Sequence, residues 1–380
     1  MAAPASISKT STYHGPTSTL FDDIAATSPR DSWLTAERKA MMPGVLFAEA
    51  ARQRQLEPIN MLNHVLDFDG VEPEIGMHLL NLHWNRQHHS FLVTYRPAFM
   101  RDMSCGGPNF SKILLNAIYY GASKFSPKLE LRKDPDDVRT AGWQFRDRVR
   151  ELLGRAMDRS EISSIQALLQ MTSSLFALGD EQSAAWLYAG AAFRMVIDLG
   201  LHVDATLLPS HPKLSEEKLE IRRRVFWAAF GKVCCRVKRG HAANTPIVID
   251  KIQSLYQGRP PALQYADCQV PISFLDTYEE LEPWAPFAYN SASDYLGSPA
   301  YSVSTFSEVC RLCIILNGVL NQVYNARGDK AESSRLLNDL ETLERDLNRW
   351  SESLPPHLRI SAETGVSGSV TPPPHVLSLA

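Results

Sequence analysis

Hydrophobic residues recur along most of the chain at three- and four-residue steps, the spacing of one face of an α-helix. The clearest run covers 162–176, where Ser160 and Glu161 precede the helix and Gly179 follows its last turn. A polar residue before the run and a glycine after it are typical helix boundaries. Similar apolar runs predict further helices over 74–91, 110–120, 184–199, 216–230 and 305–326.

Glycine, proline and serine residues mark where these helices are expected to begin or end. Gly121 and Gly200 are predicted to end two of them, Pro97 to break the first, and Ser215 to cap the helix that reaches Phe230. A turn is predicted at Cys105-Gly106-Gly107-Pro108. The alanines and Gly190 of 184–199 predict close approach of a second helix.

The last periodic set has apolar residues at alternating four- and three-residue steps. It spans only two heptads, so a bundle face is favoured over a coiled coil. Its members are Leu336, Leu340, Leu343, Leu347 and Trp350. The stretch from Pro283 to Pro299 is predicted to be a loop. Alternating strand patterns are almost absent, and the sequence therefore predicts an all-α, multi-helix bundle.

Composition adds limits to this fold. With 44% hydrophobic residues in 380 the chain is globular, and its net charge of −3 gives no general attraction to nucleic acid. Six cysteines are few for a chain of this length, which favours a reducing compartment. No run approaches the roughly 18 consecutive apolar residues of a membrane-spanning helix, and the N-terminus lacks the pattern of a secretory signal.

Three parts of the chain are predicted. Residues 1–50 form a flexible arm and lead-in, 51–358 the helical domain, and 359–380 a Pro/Ser-rich tail in which the domain is cut short. The arm is rich in Ser, Thr and Pro and has little hydrophobic pattern, which is typical of chain without a fixed structure.

Candidate metal ligands are weak. His83, His88 and His89 are five and six residues apart, whereas a zinc site on one helix face needs steps of three or four. We interpret them as polar-face or capping histidines. Cys310 and Cys313 form a single CxxC inside an apolar helix, without the second pair that zinc requires, and are interpreted as buried thiols. The sequence therefore predicts no metal ligands.

Charged groups offer two further candidates. Glu279, Glu280 and Glu282 stand without a second placed acid, so we interpret them as a solvated loop and not as catalytic acids. Three consecutive arginines, 222–224, spread over about 300° of a helix and cannot all face one phosphate backbone. Local pairing with Glu216, Glu217 and Glu220 is the favoured interpretation. No catalytic, cofactor-binding or DNA-binding residue is predicted, and phosphate-loop, dinucleotide and nucleophile-elbow motifs are absent from the sequence.

An ordered set of segments resembles one family. LLNLHWNRQHHSFLVTYRPAFMRD at 79–102 is similar to the opening of the fungal-specific transcription factor domain, the middle homology region of zinc-cluster regulators. The following segments occur there in the same order: AAWLYAGAAFRMVIDLGLHVD at 184–204, LSEEKLEIRRRVFW at 214–227 and YQGRPPAL at 256–263. The lead-in at 14–23 and the segment 372–379 also resemble that family. The first segment and YQGRPPAL are nearest to the nitrate-assimilation activators.

This resemblance implies an all-helical regulatory domain without enzymatic activity, located in the nucleus and contacting the transcription machinery. It also implies control of nitrogen or other metabolic genes by RNA polymerase II, and a small-molecule effector is a further expectation. Full-length members read DNA through a six-cysteine zinc cluster that this sequence lacks, since its first cysteine is Cys105. The resemblance therefore implies no zinc, cofactor or DNA contact for any residue present.

A basic segment at 231–247 interrupts the family pattern. Without it, Phe230 would join Val248 in one amphipathic helix, and we propose that the segment is an unspliced intron. Its codons can hold a GTAAG donor at Gly231-Lys232, a CTAAC branch site at Ala243-Asn244 and a TAG acceptor at Ile247-Val248. The alternative is a true basic loop that uses Cys234 and Cys235 for metal or nucleic acid.

Two other functions stay open at this point. One is a stand-alone helical interaction protein that competes for the partners of longer relatives. The other is an all-α enzyme, which would need converging acids, a metal pair or a cofactor loop that the sequence does not show.

Overall fold

The computed structural model describes residue 13, residues 34–178, 182–206, 214–231, 262–288, 295, 297–322, 332–359 and 372–379. These residues form twelve α-helices, several 3₁₀ turns and one pair of two-residue strands, which confirms the all-α prediction. The helices are α1 Leu34–Leu62, α2 Pro73–Arg86, α3 Arg96–Cys105, α4 Lys112–Ser123, α5 Trp143–Met157, α6 Ile162–Leu178, α7 Gln182–Asp198, α8 Glu216–Phe230, α9 Tyr278–Leu281, α10 Ser302–Gln322, α11 Glu332–Ser353 and α12 Pro374–Leu377.

Several helix ends follow from local sequence. The side chain of Ser111 accepts a hydrogen bond from the backbone N–H of Leu114 at 3.3 Å, and Ser215 does the same for Lys218. Gly106, with φ of 70°, ends α3 in the left-handed conformation, so the turn predicted at 105–108 is confirmed.

Other predicted boundaries were wrong. Gly121 lies inside α4, because a side chain at this position would collide with Gln87, Gln170 and Ser174 and only glycine lets the helix pass. Pro97 lies in the first turn of α3 instead of breaking a helix, since the first helical turn needs no N–H from proline.

Gly190 has open space where its Cβ would be, so it is not a point of close helix contact.

Helix α6 joins the two hydrophobic cores of the domain. One face, with Ile165, Leu168 and Leu169, packs in the core that also includes α7, α8 and α10. The opposite face, with Met171 and Leu175, packs in the core made by α2, α4 and α5. A helix that is apolar on both sides belongs at the centre of a bundle.

Helix α10 is long and apolar enough to cross a membrane by length and composition. It has no run of about 18 consecutive apolar residues, because Glu308 and Arg311 interrupt it. Half of its apolar stretch is buried against the rest of the domain. That is the position of a core helix, and the same helix buries Cys310 and Cys313 completely, which confirms the interpretation of this CxxC as buried thiols.

The chain outside the central helices is more ordered than expected. Residues 34–50, assigned to the arm, form the first half of α1. Tyr13 donates its N–H to the carbonyl of Asp198 at the end of α7, and its ring contacts the imidazole of His202. Of the remaining arm, residues 1–12 and 14–33 lie outside the described residues.

The two segments predicted as loop and tail also contain structure. Within 283–299, Pro283 and Trp284 pair antiparallel with Pro299 and Ser298. In the predicted tail, α12 buries Val376 completely against the domain. Of the predicted insertion, only Gly231 is described.

Helix α11 packs against α10 along one side. Leu343 is 7% exposed, and Leu340 and Leu347 are 43% and 38% exposed. Since one side of α11 contacts a helix of the same domain, the described part of this set forms a bundle face, as the sequence predicted.

Candidate functional site

A buried network of charged side chains lies where α1, α3, α8 and α9 meet. We call it the Glu279 network. Its members are Arg54, Glu57, His88, Arg96, Glu220, Arg224, Glu279 and Glu282. Charged groups in a protein interior are stable only when they are paired and hydrogen-bonded, so such a cluster fixes the elements that supply it.

Arg224 and Glu279 are at the centre of the network, and both are completely buried. The Nη1 atom of Arg224 donates to Oε2 of Glu279 at 2.6 Å, and its Nε donates to Oε1 of Glu220 at 2.6 Å. The other oxygen of Glu220 accepts the backbone N–H of Leu275 at 2.6 Å. Burial opposes ionisation of Glu279, but Arg224, His88 and Arg54 together outweigh it and hold the pKa of this carboxyl well below its usual range.

The network extends to α1 and α3 through two more arginines. Arg54 of α1 donates to Glu282 at 2.8 Å and to Glu57 at 3.2 Å. Arg96, in the first turn of α3, holds both oxygens of Glu57 at 3.0 and 2.5 Å. The bond between Arg54 and Glu282 joins positions that are 228 residues apart in sequence.

Tyr95 and Asp276 border the network. The Tyr95 hydroxyl donates to Oδ2 of Asp276 at 2.8 Å, and the guanidinium of Arg224 lies 4.9 Å from the centre of the Tyr95 ring. Burial raises the pKa of Asp276 to about 6, although Arg224 acts in the opposite direction.

Two buried histidines attach the C-terminal segment 372–379 beside this network. The rings of His89 and His375 are stacked with their centres 4.9 Å apart. His89 contacts the hydroxyl of Ser302 at 2.7 Å, and His375 bonds the carbonyl of Ala300. Burial lowers the pKa of both histidines, for His375 to about 4, so both rings are neutral near pH 7.

The acidic residues 279, 280 and 282 are not a solvated loop, and that interpretation was wrong. Glu279 is completely buried, Glu280 accepts from the N–H and hydroxyl of Ser304, and Glu282 bonds Arg54. The short α9 directs Glu279 inward, where Arg54 and Arg224 compensate its charge and His88 forms a hydrogen bond with it.

The arginine triplet is only in part what the sequence predicted. Arg224 pairs with Glu220, but Arg222 donates to the carbonyls of Leu199 and Gly200, and Arg223 to that of Ser273. Carbonyls at the end of α7 attract Arg222 because they carry the negative end of the helix dipole. Glu217 pairs with Arg101 instead, at 2.6 Å.

The three candidate histidines are buried and do not lie on a polar face, so that interpretation was also wrong. His83 bonds the amide oxygen of Gln87 at 3.0 Å, and His88 bonds Glu279 at 2.6 Å. No group of three or more His, Cys, Asp or Glu side chains with metal-binding geometry occurs among the residues that the structure describes.

The geometry of the network is that of a structural lock. Each carboxylate of the network accepts hydrogen bonds from a guanidinium, an imidazole or a backbone N–H. The network ties four helices and a loop to one another.

Comparison with known proteins finds a family that part of this all-helical architecture resembles. Residues 80–231, from α2 to the end of α8, match the model of the fungal specific transcription factor domain. This part of the chain is therefore similar to that domain. No solved structure matches it.

The relatives are fungal transcriptional regulators. The chain is 28% identical over 293 residues to the nitrogen assimilation transcription factor nirA of Emericella nidulans, covering 76% of this chain and 30% of nirA. It is 26% identical over 295 residues to the nitrogen assimilation transcription factor nit-4 of Neurospora crassa. The alignment covers 74% of this chain and 25% of nit-4. An uncharacterized transcriptional regulatory protein of Schizosaccharomyces pombe is 28% identical over 77% of this chain and 43% of its own length.

These relatives confirm the resemblance to the nitrate-assimilation activators. The chain spans less than half the length of each of these three. The family match also ends at Gly231, the first residue of the proposed insertion.

Proposed function

We propose that this chain is the regulatory domain of a fungal transcription factor that acts in the nucleus on RNA polymerase II genes, with genes of nitrogen metabolism as the first candidates. The observation that carries the proposal is the domain match over 80–231, which includes most residues of the two cores and Arg224 of the Glu279 network. The names of nirA and nit-4 support the nitrogen assignment.

In this proposal the domain works through contacts with other proteins and has no enzymatic activity. DNA contact would come from a zinc-cluster module that is not among these residues, and no zinc or other cofactor is assigned to them. A small-molecule effector would act by favouring one packing of the helices over another. The Glu279 network supports such a mechanism because its hydrogen bonds and ion pairs link α1, α3, α8 and α9. A shift of one of these helices would therefore displace the others.

A reporter experiment tests the proposal. The chain is fused to a heterologous DNA-binding module in a fungal host, and a reporter gene carries the site of that module. We expect reporter output to differ from that of the module alone and to respond to the nitrogen source, with a fluorescent fusion in the nucleus. Output equal to that of the module alone under every nitrogen source, with intact fusion protein, would contradict it.

Arg223→Met serves as a control variant of the fusion. It removes a surface arginine and leaves the network intact, so its reporter output should equal that of the original fusion. Expression of the unfused chain addresses the stand-alone alternative. If it only lowers transcription driven by full-length relatives and the fusion has no effect of its own, the chain is a competing interaction protein and the proposal is wrong.

A further inference from the structure

The C-terminal half of α10 is apolar on almost every side, but the rest of the domain covers only part of it. A helix with apolar residues all round is normally enclosed by its neighbours. In α10 only half of the apolar stretch is buried. The side chains that stay partly exposed follow one another at helical steps and are Leu312, Ile315, Leu316 and Val319. This face of α10 can therefore accept a further apolar surface.

Helix α11 lies antiparallel to α10 and packs along one side of it. Just after the end of α11, Nε2 of His357 lies 3.0 Å from the hydroxyl of Ser304, in the first turns of α10. Farther back in α11, Leu343 packs against Gly318, near the end of α10. Because the later contact in α11 is the earlier one in α10, the two helices run in opposite directions.

The exposed apolar edges of the two helices lie on the same side of this contact. Each residue of an α-helix is turned by about 100° from the one before it, and four apolar residues are turned from the Gly318–Leu343 contact in the same sense, by about 40–100°. They are Ile315 and Val319 of α10 and Leu340 and Leu347 of α11. In an antiparallel pair the same sense of rotation leads to the same side, so the four side chains line one groove. We call it the α10–α11 groove.

The border of the groove on α11 is acidic. Glu344 lies one turn after Leu340 and is exposed at the open edge of the groove. Glu341, which is also exposed, lies behind it on the same helix. Neither carboxylate forms an ion pair with a residue that the structure describes.

The positive groups of the two helices near the groove already have partners. Arg349 pairs with Asp346 at 2.9 Å, and Arg345 donates to groups of its own helix. In α10, Arg311 pairs with Glu308. The two unpaired glutamates of α11 therefore give the groove an excess of negative charge.

We propose that the α10–α11 groove binds an amphipathic helix of another protein, one that carries lysine or arginine beside its apolar stripe. Apolar side chains at helical spacing are the usual contacts of a helix held in a groove. Basic residues next to that stripe would face Glu341 and Glu344, and opposite charges across an interface select the partner. A second copy of this chain would bring the same acidic border to the contact, which like-charge repulsion opposes.

Peptide binding to the full chain tests the proposal. Two labelled peptides of about 20 residues share leucines at heptad positions a and d and differ only in the flanking residues, which are Lys in one and Glu in the other. We expect fluorescence anisotropy to give a dissociation constant at least about tenfold lower for the Lys peptide. Equal affinities, or no binding of either peptide, would overturn the proposal.

Substitutions of exposed leucines locate the bound peptide. The double variant Leu340→Ser, Leu347→Ser removes apolar surface from the groove and should weaken binding of the Lys peptide by about tenfold or more. Leu187→Ser, at an exposed leucine of α7, is the matched control and should leave binding unchanged. Circular dichroism checks that both proteins keep their helices. If the double variant binds as the original chain does, or if the control loses as much, the peptide is not in the groove and the proposal is wrong.

Charge reversal tests the recognition of basic residues. Glu344→Lys should weaken binding of the Lys peptide and strengthen binding of the Glu peptide, because the border of the groove changes sign. An unchanged preference for the Lys peptide would show that the acidic border does not select the partner.

Sedimentation tests a second copy of the chain as the occupant. We expect the original chain and the double leucine variant to sediment alike. A dimer of the original chain that the double variant dissociates would place a second copy in the groove and overturn the proposal.

The groove would supply one of the protein contacts of the proposed function, and its biological role rests on that function. Peptide binding and sedimentation do not involve transcription. The groove can therefore fail these tests while the reporter experiment succeeds, and the reverse outcome is equally distinct.

Discussion

The guanidinium of Arg224 lies 2.6 Å from the carboxylate of Glu279 at a place where both side chains are closed to solvent. The two residues are 55 positions apart in sequence and come from α8 and α9. A buried pair of this kind adds little stability over apolar residues of the same size, but it is costly to break, since the remaining charge stays in the interior.

Arg224→Met should therefore destabilise the domain strongly. The variant leaves Glu220 and Glu279 buried without their common partner, and we expect a loss of about 3–5 kcal/mol in the free energy of unfolding. Urea unfolding followed by circular dichroism measures it. The neighbouring Arg223→Met, which removes one surface hydrogen bond, should cost less than about 1 kcal/mol, and equal losses in the two variants would show that the network is not the reason.

Two helical glycines should respond in opposite directions to a methyl group. At Gly76 of α2, a Cβ would lie 2.4 Å from the ring of Phe68 and 2.8 Å from the hydroxyl of Tyr119, and both rings are buried. Gly76→Ala should lower the free energy of unfolding by about 1–3 kcal/mol.

Gly190→Ala is the matched case in α7, with open space around the added carbon. Since alanine favours helix over glycine by about 1 kcal/mol, this variant should be more stable than the original chain. Thermal melting of the two variants compares them, and stabilisation by Gly76→Ala would mean that α2 lies further from Phe68 than described.

Acid should destabilise the attachment of the C-terminal segment. Because burial lowers the pKa of His375 to about 4, against about 6.5 in an unfolded chain, the native state binds fewer protons than the unfolded state between these values. The contribution of His375 to the free energy of unfolding is therefore fully present above about pH 6.5. It falls as the pH drops towards 4, by up to about 1.4 kcal/mol per pH unit.

The comparison of His375→Gln with the original chain isolates this contribution. In the variant, the free energy of unfolding should fall less steeply between about pH 6.5 and 4. The difference in slope corresponds to up to one bound proton. The comparison is needed because Asp276, with a pKa raised to about 6, acts with the opposite sign and loses its contribution as the pH rises. Parallel curves for the two proteins would show that His375 is not buried in solution.

Adjacent residues of α12 provide a test of its packing. Val376 is completely buried and Leu377 is 42% exposed. Val376→Asp places a carboxylate in the core and should cost at least about 2 kcal/mol, whereas Leu377→Asp should change the free energy of unfolding by less than about 0.5 kcal/mol. Equilibrium unfolding in urea distinguishes them, and a similar effect of both changes would mean that α12 does not stay on the domain.

The helices could be predicted from sequence because their signals are local. The step of three and four in 162–176 and the cap at Ser215 need no knowledge of distant residues. Gly121 was misinterpreted for the opposite reason, since glycine ends some helices and lets others pass close neighbours, and the neighbours of Gly121 come from other elements.

The network was missed although part of its signal was present. Glu220 and Arg224 are one turn apart on the same face as Trp227, so a charged pair lies on the buried side of α8. No sequence pattern marks Glu279 as buried. It belongs to a helix of four residues, which is too short to show a hydrophobic periodicity. Its partners are set by tertiary packing, which single-sequence patterns do not report.

Tyr13, bonded to Asp198 and packed on Gly200 at the end of α7, also sets the reach of a module fused at Met1 for the reporter experiment. Residues 1–12 would lie between the two, and a fully extended chain spans at most about 3.5 Å per residue. A module fused to Met1 is thus tethered within roughly 40 Å of one corner of the bundle, and a fusion for the reporter experiment needs a linker if its target site is farther away.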